Sequence, residues 1–286
     1  PSFRLDLERE VDLIEEVARV YGMDRIEATL PTVKKNLADL DKADPIFSFL
    51  NLVKDWGRGV GLSEVVNYSF VGTEDLDRCG LDTAGRVRIY NPLSEDMDVL
   101  RTDLVPGLLG SLRHNISQDN GRIRIFEVAH TFVQDQTSDT RTRENNRLGI
   151  LLHGGRFPGR YPFVSGFLGY EDIKGLVEHL LHTLGVGAAS FARGHGHPYL
   201  EPEVCVLVGE TMAGRVGRIR ENLADNYLAR AEVWYADLDL DLLMAMQKKI
   251  TFASLPKYPV IRRDMTLIAP SGLAIGSVID TVRQLR

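Results

Sequence analysis

Cysteine is scarce in this sequence: Cys79 and Cys205 are the only two among 286 residues. They lie far apart and have no metal-type spacing, which excludes a disulfide framework. Such usage suits a reducing compartment, so a cytoplasmic location is expected. Long apolar runs are lacking as well. No stretch approaches the roughly 20 residues that a spanning helix needs, so no membrane partner is expected. An excess of positive charge is also missing, with 34 Lys and Arg against 40 Asp and Glu and a net charge of −6. Global attraction to nucleic acid is thereby excluded, and only a local basic patch could supply it. Internal repeats, low-complexity segments and a visible secretory leader are absent. The sequence starts at Pro1 rather than Met. It is therefore expected to be a piece of something longer.

Several catalytic signatures are missing too. There is no G-x-S-x-G elbow, no phosphate loop ending in Gly-Lys-Ser/Thr and no H-E-x-x-H. The seven histidines form no zinc-type array. His195-Gly196-His197 has no third ligand nearby and reads as a surface loop. Arg141, Arg143 and Arg147 could touch phosphates, but with Glu144 among them they read more simply as a polar loop.

The elements that are present form an irregular alternation. Arg9 to Tyr21 has helical periodicity, with Val11, Leu13, Ile14, Val17 and Val20 on one broad face. Asp44-Pro45 opens a second helix, the aspartate as cap and the proline at the first helical position. Phe47, Leu50, Val53 and Trp56 give it an apolar stripe, and Gly59 or Gly61 stops it. Strands are expected at Glu64 to Val71, Arg86 to Tyr90, Arg122 to Val133, Leu148 to His153 and Val233 to Leu238. A hairpin of Glu203 to Gly209 and Met212 to Ile219 turns at Gly209-Glu210-Thr211. Further helices are expected at Leu104 to Ile116, capped by Thr102, at Asp172 to Leu184 and at Leu240 to Lys248. Val33 to Lys42 reads as a polar connector, Gln134 to Arg147 as a long loop and Ser254 to Val260 as a linker. One strand, Asp264 to Ala269, and one helix, Ala274 to Leu285, follow; alone they cannot bury a core. Without a regular βα alternation, the pattern favours an α+β class with an antiparallel or mixed sheet.

Two features raise chemical questions. Asp6, Asp12, Glu15 and Glu16 cluster at the first helix, and clustered carboxylates are what a hard cation such as Mg²⁺ requires. On pattern alone the plainer reading, a solvated acidic face near a helix N-terminus, takes precedence. Arg101 sits between Leu100 and Thr102, ahead of an apolar helix. It could hold a substrate phosphate or carboxylate, or it could hold the fold together.

Whole segments then resemble one family. FRLDLEREVDLIEEVARVYGMDRIEATLP, GLSEVVNYSFV, NPLSEDMDVLRTDLVPGLLGSLRHN, RIRIFEVAHTF, DIKGLVEHLLHTLG and KYPVIRRDMTLI are similar to the bacterial phenylalanyl-tRNA synthetase β chain, in that family's order. The resemblance implies three pieces. Residues 1–32 correspond to the end of the winged-helix-like B5 domain. Residues 33–253 correspond to a catalytic-like module on the class II antiparallel sheet. Residues 254–286 correspond to a linker and the start of a ferredoxin-like anticodon-binding domain.

The resemblance also implies an (αβ)₂ heterotetramer with the α subunit. That assembly would charge tRNA(Phe) using ATP and Mg²⁺, with the active site on the α chain. It implies a Mg²⁺ shared with the α subunit and held by Asp6, Asp12, Glu15 and Glu16. Active class II enzymes carry an F-R-x-E strand whose arginine grips the ATP α-phosphate. Here the comparable stretch is Phe132-Val133-Gln134-Asp135, and the later glycine-rich motif with a terminal E-R has no match. No catalytic or ATP-binding residue is therefore expected on this chain, and Arg101 is expected in a structural network. Ala129 departs from the family, which usually has glycine after Phe-Glu-Val. The other expectations, a stand-alone class II ligase and an independent RNA-binding module, would require phosphate-binding arginines elsewhere or a basic surface.

Overall fold

The computed structural model describes residues 3–29, 44–157, 161–162, 166–187, 189–248, 261–273 and 275–284. The connector Val33 to Lys42 and the linker Ser254 to Val260 lie outside the described residues. The chain divides into two compact units, Pro1–Lys248 and Lys249–Arg286.

In chain order the first unit contains α1 (Glu10–Tyr21), α2 (Pro45–Gly59), β1 (Ser63–Glu64), β2 (Phe70–Val71), α3 (Thr73–Arg78), β3 (Val99–Leu100) and α4 (Val105–Ser117). Then follow β4 (Ile123–Gln134), β5 (Thr142–His153), α5 (Tyr170–Thr183), β6 (Ala189–Arg193), β7 (Leu200–Val208), β8 (Thr211–Ile219), α6 (Glu221–Asn226), β9 (Val233–Asp239) and α7 (Leu240–Ala245). The second unit contributes α8 (Ile275–Gln284). A seven-stranded sheet runs β1-β4-β5-β9-β8-β7-β6. The short β1 lies parallel to β4, and every other pairing is antiparallel. β2 and β3 form a separate antiparallel pair. The mixed α+β expectation, with a mostly antiparallel sheet, holds.

Residues in register on neighbouring strands share a face, so the sheet has two distinct sides. Leu148, Ile150 and Leu152 of β5 join Ala236 and Leu238 of β9 on one side, packed with Phe49, Val53 and Trp56 of α2, Val177 and Leu180 of α5, and Leu243 of α7. α2 is capped as expected, the Asp44 carboxylate accepting from the Ile46 amide at 3.1 Å. It comes so close to β4 that a Cβ at Gly57 would meet the Phe126 ring at 2.6 Å. The α2 stripe is thus used in the core, Phe47 alone of its four residues being strongly exposed. On the other side of the sheet, Leu104 just before α4 and Leu108 and Leu112 of α4 pack on Ile125, Leu151 and Tyr235.

Several elements differ from expectation. Thr142 to Arg147 is strand, not loop, and pairs with Ala129 to Gln134. Its side chains are polar because this end of the hairpin extends beyond the apolar core; backbone pairing needs no apolar pattern. Glu64 to Val71 is not one strand. Its ends belong to different sheets, and the Asn67 amide between them donates to the Glu127 carboxylate instead of a ladder partner. Arg86 to Tyr90 is reduced to a single bridge, Arg88 with Val99. Thr102 does not cap α4. The Asp103 carboxylate accepts from the Val105 amide at 2.9 Å, while the buried Thr102 hydroxyl has no partner. Asp264 to Ala269 is not strand, and no described segment pairs with it. β6, α3 and α6 carry too short a pattern to be read ahead.

Candidate functional site

Among the described residues, two groups of charged side chains bear on the expected chemistry. The first is the sheet face beside α4. Register puts Glu127 of β4, Arg147 and Gly149 of β5, Tyr235, Asp237 and Asp239 of β9, Arg215 of β8 and Glu203 of β7 on this one side. Arg101 enters it from just after β3. Its Nη1 donates to Glu127 Oε1 at 2.7 Å and its Nε to the His130 carbonyl at 2.8 Å. Glu127, 1 % exposed, also accepts from the Asn67 amide and from Asn67 Nδ2 at 2.7 Å. Ser111 of α4 donates to the Asn67 side-chain oxygen at 3.0 Å. Arg101 therefore ties β3, the segment between β1 and β2, and β4 into one buried network, as expected of a structural arginine.

Next to it lies a carboxylate cluster. Arg147 forks onto Asp237 and reaches Asp239 at 3.0 Å. Burial works against the Arg147 charge, but Asp237, Asp239 and Asp103 outweigh it and hold the guanidinium firmly ionised. Asp103 accepts from the Tyr199 hydroxyl at 2.7 Å and from that of Tyr235 at 3.3 Å. Burial, then the nearby Asp237 charge, pushes its carboxyl up to about 6. Burial and the Asp103 charge raise both tyrosine hydroxyls well above their ordinary range. Arg215 is held by Glu203 at 2.9 Å. The His197 ring stands edge-on to Tyr199 at 4.4 Å between centroids. Its pKa is lowered by burial and then by Arg215.

The stretch compared with F-R-x-E does other work. The Phe132 amide donates to the Arg101 carbonyl, Gln134 Nε2 donates to the Arg86 carbonyl at 2.9 Å, and Asp135 receives Thr137 in the turn. Arg141 and Arg143 are exposed at the hairpin end while Arg147 turns onto the sheet, so that trio does not form a patch. Arg156 is bound to Asp172 at 2.8 Å, and Arg160 lies outside the described residues.

The second place is α1. Arg4 holds Asp6 with its Nε and Nη2 and reaches Glu16 at 2.9 Å, while Arg19 holds Glu16 at 2.7 Å. The Arg4 hydrogen bond holds the Asp6 carboxyl down at about 2, and the Arg19 and Arg4 hydrogen bonds lower that of Glu16. Asp12 accepts from the amides of Glu8 and Arg9 at 2.9 and 2.7 Å, acting as a helix cap. Glu15 is exposed. The residues are neighbours, but among the described residues no three acidic, histidine or cysteine side chains are placed to hold a metal ion together. As arranged, then, these four carboxylates do not fit a Mg²⁺ ion.

Sequence reading missed Glu127, Asn67, Asp103, Tyr199 and Tyr235. A signal did exist for the β9 members: in Trp234-Tyr235-Ala236-Asp237-Leu238-Asp239 the polar positions alternate with buried apolar ones, marking a polar face.

Comparison with known proteins completes these observations. The model of the phenylalanyl tRNA synthetase beta chain CLM domain matches residues 26–240, and that of the tRNA synthetase B5 domain matches residues 1–23. A phenylalanine–tRNA ligase beta subunit of Nitratidesulfovibrio vulgaris is 50 % identical over 288 residues, covering 100 % of this chain and 36 % of the relative. One from Oleidesulfovibrio alaskensis is 48 % identical over 285 residues, covering 99 % and 36 %. The chain thus spans about a third of the length of the curated relatives it matches. In fold it is similar to a pyrrolysyl-tRNA synthetase of Desulfitobacterium hafniense, with TM-score 0.55 and 13 % identity over 69 % of this chain and 67 % of that one. At that identity the likeness concerns the fold alone.

Proposed function

The chain belongs to the phenylalanyl-tRNA synthetase beta chain family, and from that premise we propose that it is a non-catalytic, scaffolding part of the β subunit of phenylalanine–tRNA ligase. Its partner is the α subunit, in an (αβ)₂ heterotetramer working in the cytoplasm. The α chain carries the active site, uses ATP with Mg²⁺, and joins phenylalanine to tRNA(Phe).

One observation carries the non-catalytic reading: the arginines buried or half-buried on the sheet face are already paired. Arg101 is held by Glu127, Arg147 by Asp237 and Asp239, and Arg215 by Glu203. A nucleotide triphosphate needs cations aimed at its phosphates. This face instead offers neutralised guanidiniums, an additional buried carboxylate at Asp103, and two tyrosines filling the space between.

The scaffolding reading is supported by the surface beyond the Asn67 anchor. Val66, Tyr68 and Phe70 alternate outward from the pinned segment, 88, 74 and 44 % exposed, and Tyr90 and Leu93 are fully open. Apolar side chains held outward on a fixed backbone suit a subunit interface. A Mg²⁺ shared with the α subunit at Asp6, Asp12, Glu15 and Glu16 would need Arg4 to leave two of the carboxylates.

Native mass spectrometry of the complete β subunit co-expressed with the α subunit of the same organism tests the proposal. Two copies of each chain are expected, and substitution of Tyr68 by Asp should split the assembly. A complete β subunit that stays alone, or an assembly indifferent to the substitution, would count against this surface as the scaffold contact.

A further inference from the structure

At one end of the sheet the ends of β5, β8 and β9, together with α6 and the segment leading into β9, enclose a cleft of about 480 Å³. That volume lies within the range of small-molecule sites. Its floor is apolar. Ile219, Ala224, Ala229 and Val233 are each 5 % exposed or less, and Ala231 adds no bulk. The three alanines keep the space open, because a longer side chain at any of them would fill it. Phe167, 73 % exposed, adds a large apolar surface to the lining. The charges around the cleft are of both signs. Glu221 and Asp225 lie one turn apart on the same face of α6, and Arg230 precedes β9. Arg218 and Glu232 also line the cleft, but they hold each other at 2.7 Å. The side chains of Glu221, Asp225 and Arg230 have no hydrogen bond or ion pair with any described residue. Two carboxylates and a guanidinium thus line one cleft without closing on each other. A molecule that carries both charges bridges them, and a charge-assisted hydrogen bond at each end fixes its orientation.

We propose that this cleft binds a free α-amino acid with an apolar side chain. The Arg230 guanidinium takes the carboxylate, Glu221 and Asp225 take the ammonium group, and the side chain lies on the alanine floor beside Phe167. An amino acid carries both charges on one carbon, so the cleft reads them together. An acid or an amine alone leaves one sign of the lining unpaired. The end of a polypeptide likewise brings only one of the two charges, and the same comparison tells it from a free amino acid. The proposal does not rest on the subunit reading, which stands if the proposal fails.

L-Phenylalanine is the probe, with phenethylamine and 3-phenylpropionate as its two halves. Each is titrated into the purified chain and followed by saturation-transfer NMR on the ring protons. Phenylalanine is expected to bind saturably and about tenfold more tightly than either half. Arg230→Gln should weaken phenylalanine by about tenfold without weakening phenethylamine. Glu221→Gln combined with Asp225→Asn should weaken phenylalanine by about as much without weakening phenylpropionate. Ala231→Leu, which fills the cleft, should abolish binding while circular dichroism shows the helices retained. The charge variants change only side chains that hold nothing else in the fold, so they decide the matter even if Ala231→Leu unfolds. No saturable binding up to about 10 mM would overturn the proposal. So would phenylalanine binding that is indifferent to the charge variants. A half that binds as tightly as the whole amino acid would overturn it too, and would point to a chain terminus instead.

Discussion

Arg101 shows how a single buried charge can be structural. It is 5 % exposed and its guanidinium contacts a carboxylate and backbone carbonyls from two segments, β4 and the stretch between β1 and β2. Truncating it leaves Glu127 buried with no cation, and breaking such a pair costs about 3–5 kcal/mol. Arg101→Ala should therefore lower the denaturation midpoint strongly; a stable protein with no loss would contradict the network's role. Asp103 makes the opposite kind of contribution. Its carboxyl is raised from 3.8 to about 6 by burial and by Asp237. The folded protein thus holds this proton more tightly than the unfolded one, and stability falls as pH rises between about 4 and about 6 and levels off above. Asp103→Asn keeps an acceptor for the tyrosine hydroxyls and removes the titration. Its stability relative to the unaltered chain should rise across that window by on the order of 1–3 kcal/mol, measured by urea unfolding at a series of pH values. A difference that does not change with pH would rule this out. At this scale, the need for a partner to Arg101 was legible from its apolar neighbours. The identity of that partner was not, because Glu127 is 26 residues away and meets it only through strand register.

At the scale of elements, helices were the most readable and strands the least. α1, α2, α4 and α5 fall within a few residues of their expected spans because each has an apolar stripe several turns long. Asp44 and Pro45 marked the start of α2 by local chemistry alone. Strands failed where no apolar side chain marks a face, as in Thr142 to Arg147, or where a side chain takes the backbone away from the ladder, as Glu127 does at Asn67. Close packing between elements was invisible too. Gly149 on β5 admits α4 so closely that an added Cβ would meet Leu108 Cδ1 at 2.6 Å and the Tyr235 hydroxyl at 3.2 Å. Gly149→Val should cost about 1–3 kcal/mol by forcing α4 off the sheet, read as a lower thermal midpoint with less cooperative unfolding. A midpoint equal to that of the unaltered chain would mean that α4 has room to move.

For the whole molecule, the relevant quantity is what the paired charges leave available. The sheet face beside α4 carries Arg147 on Asp237 and Asp239 and Arg215 on Glu203, with Asp103 beneath two tyrosines. The purified chain should therefore show no phenylalanine-dependent ATP–pyrophosphate exchange above a heat-denatured control. Exchange that is abolished by Arg147→Ala would make this face a catalyst after all.

Sequence by itself determined the α+β class, the long helices, the need of Arg101 for a partner of some kind and, through six matching segments, the family. These follow from local periodicity, capping chemistry and strings of residues read in order, none of which requires knowing what lies opposite. Tertiary structure alone decided that the α2 stripe lies in the core, that Val66, Tyr68 and Phe70 face outward, that Arg4 occupies the acidic cluster and that the sheet face is neutralised. The first two depend on which apolar faces meet in the core and the last two on which carboxylate meets which guanidinium, with charges 12 to 92 residues apart brought together by chain folding.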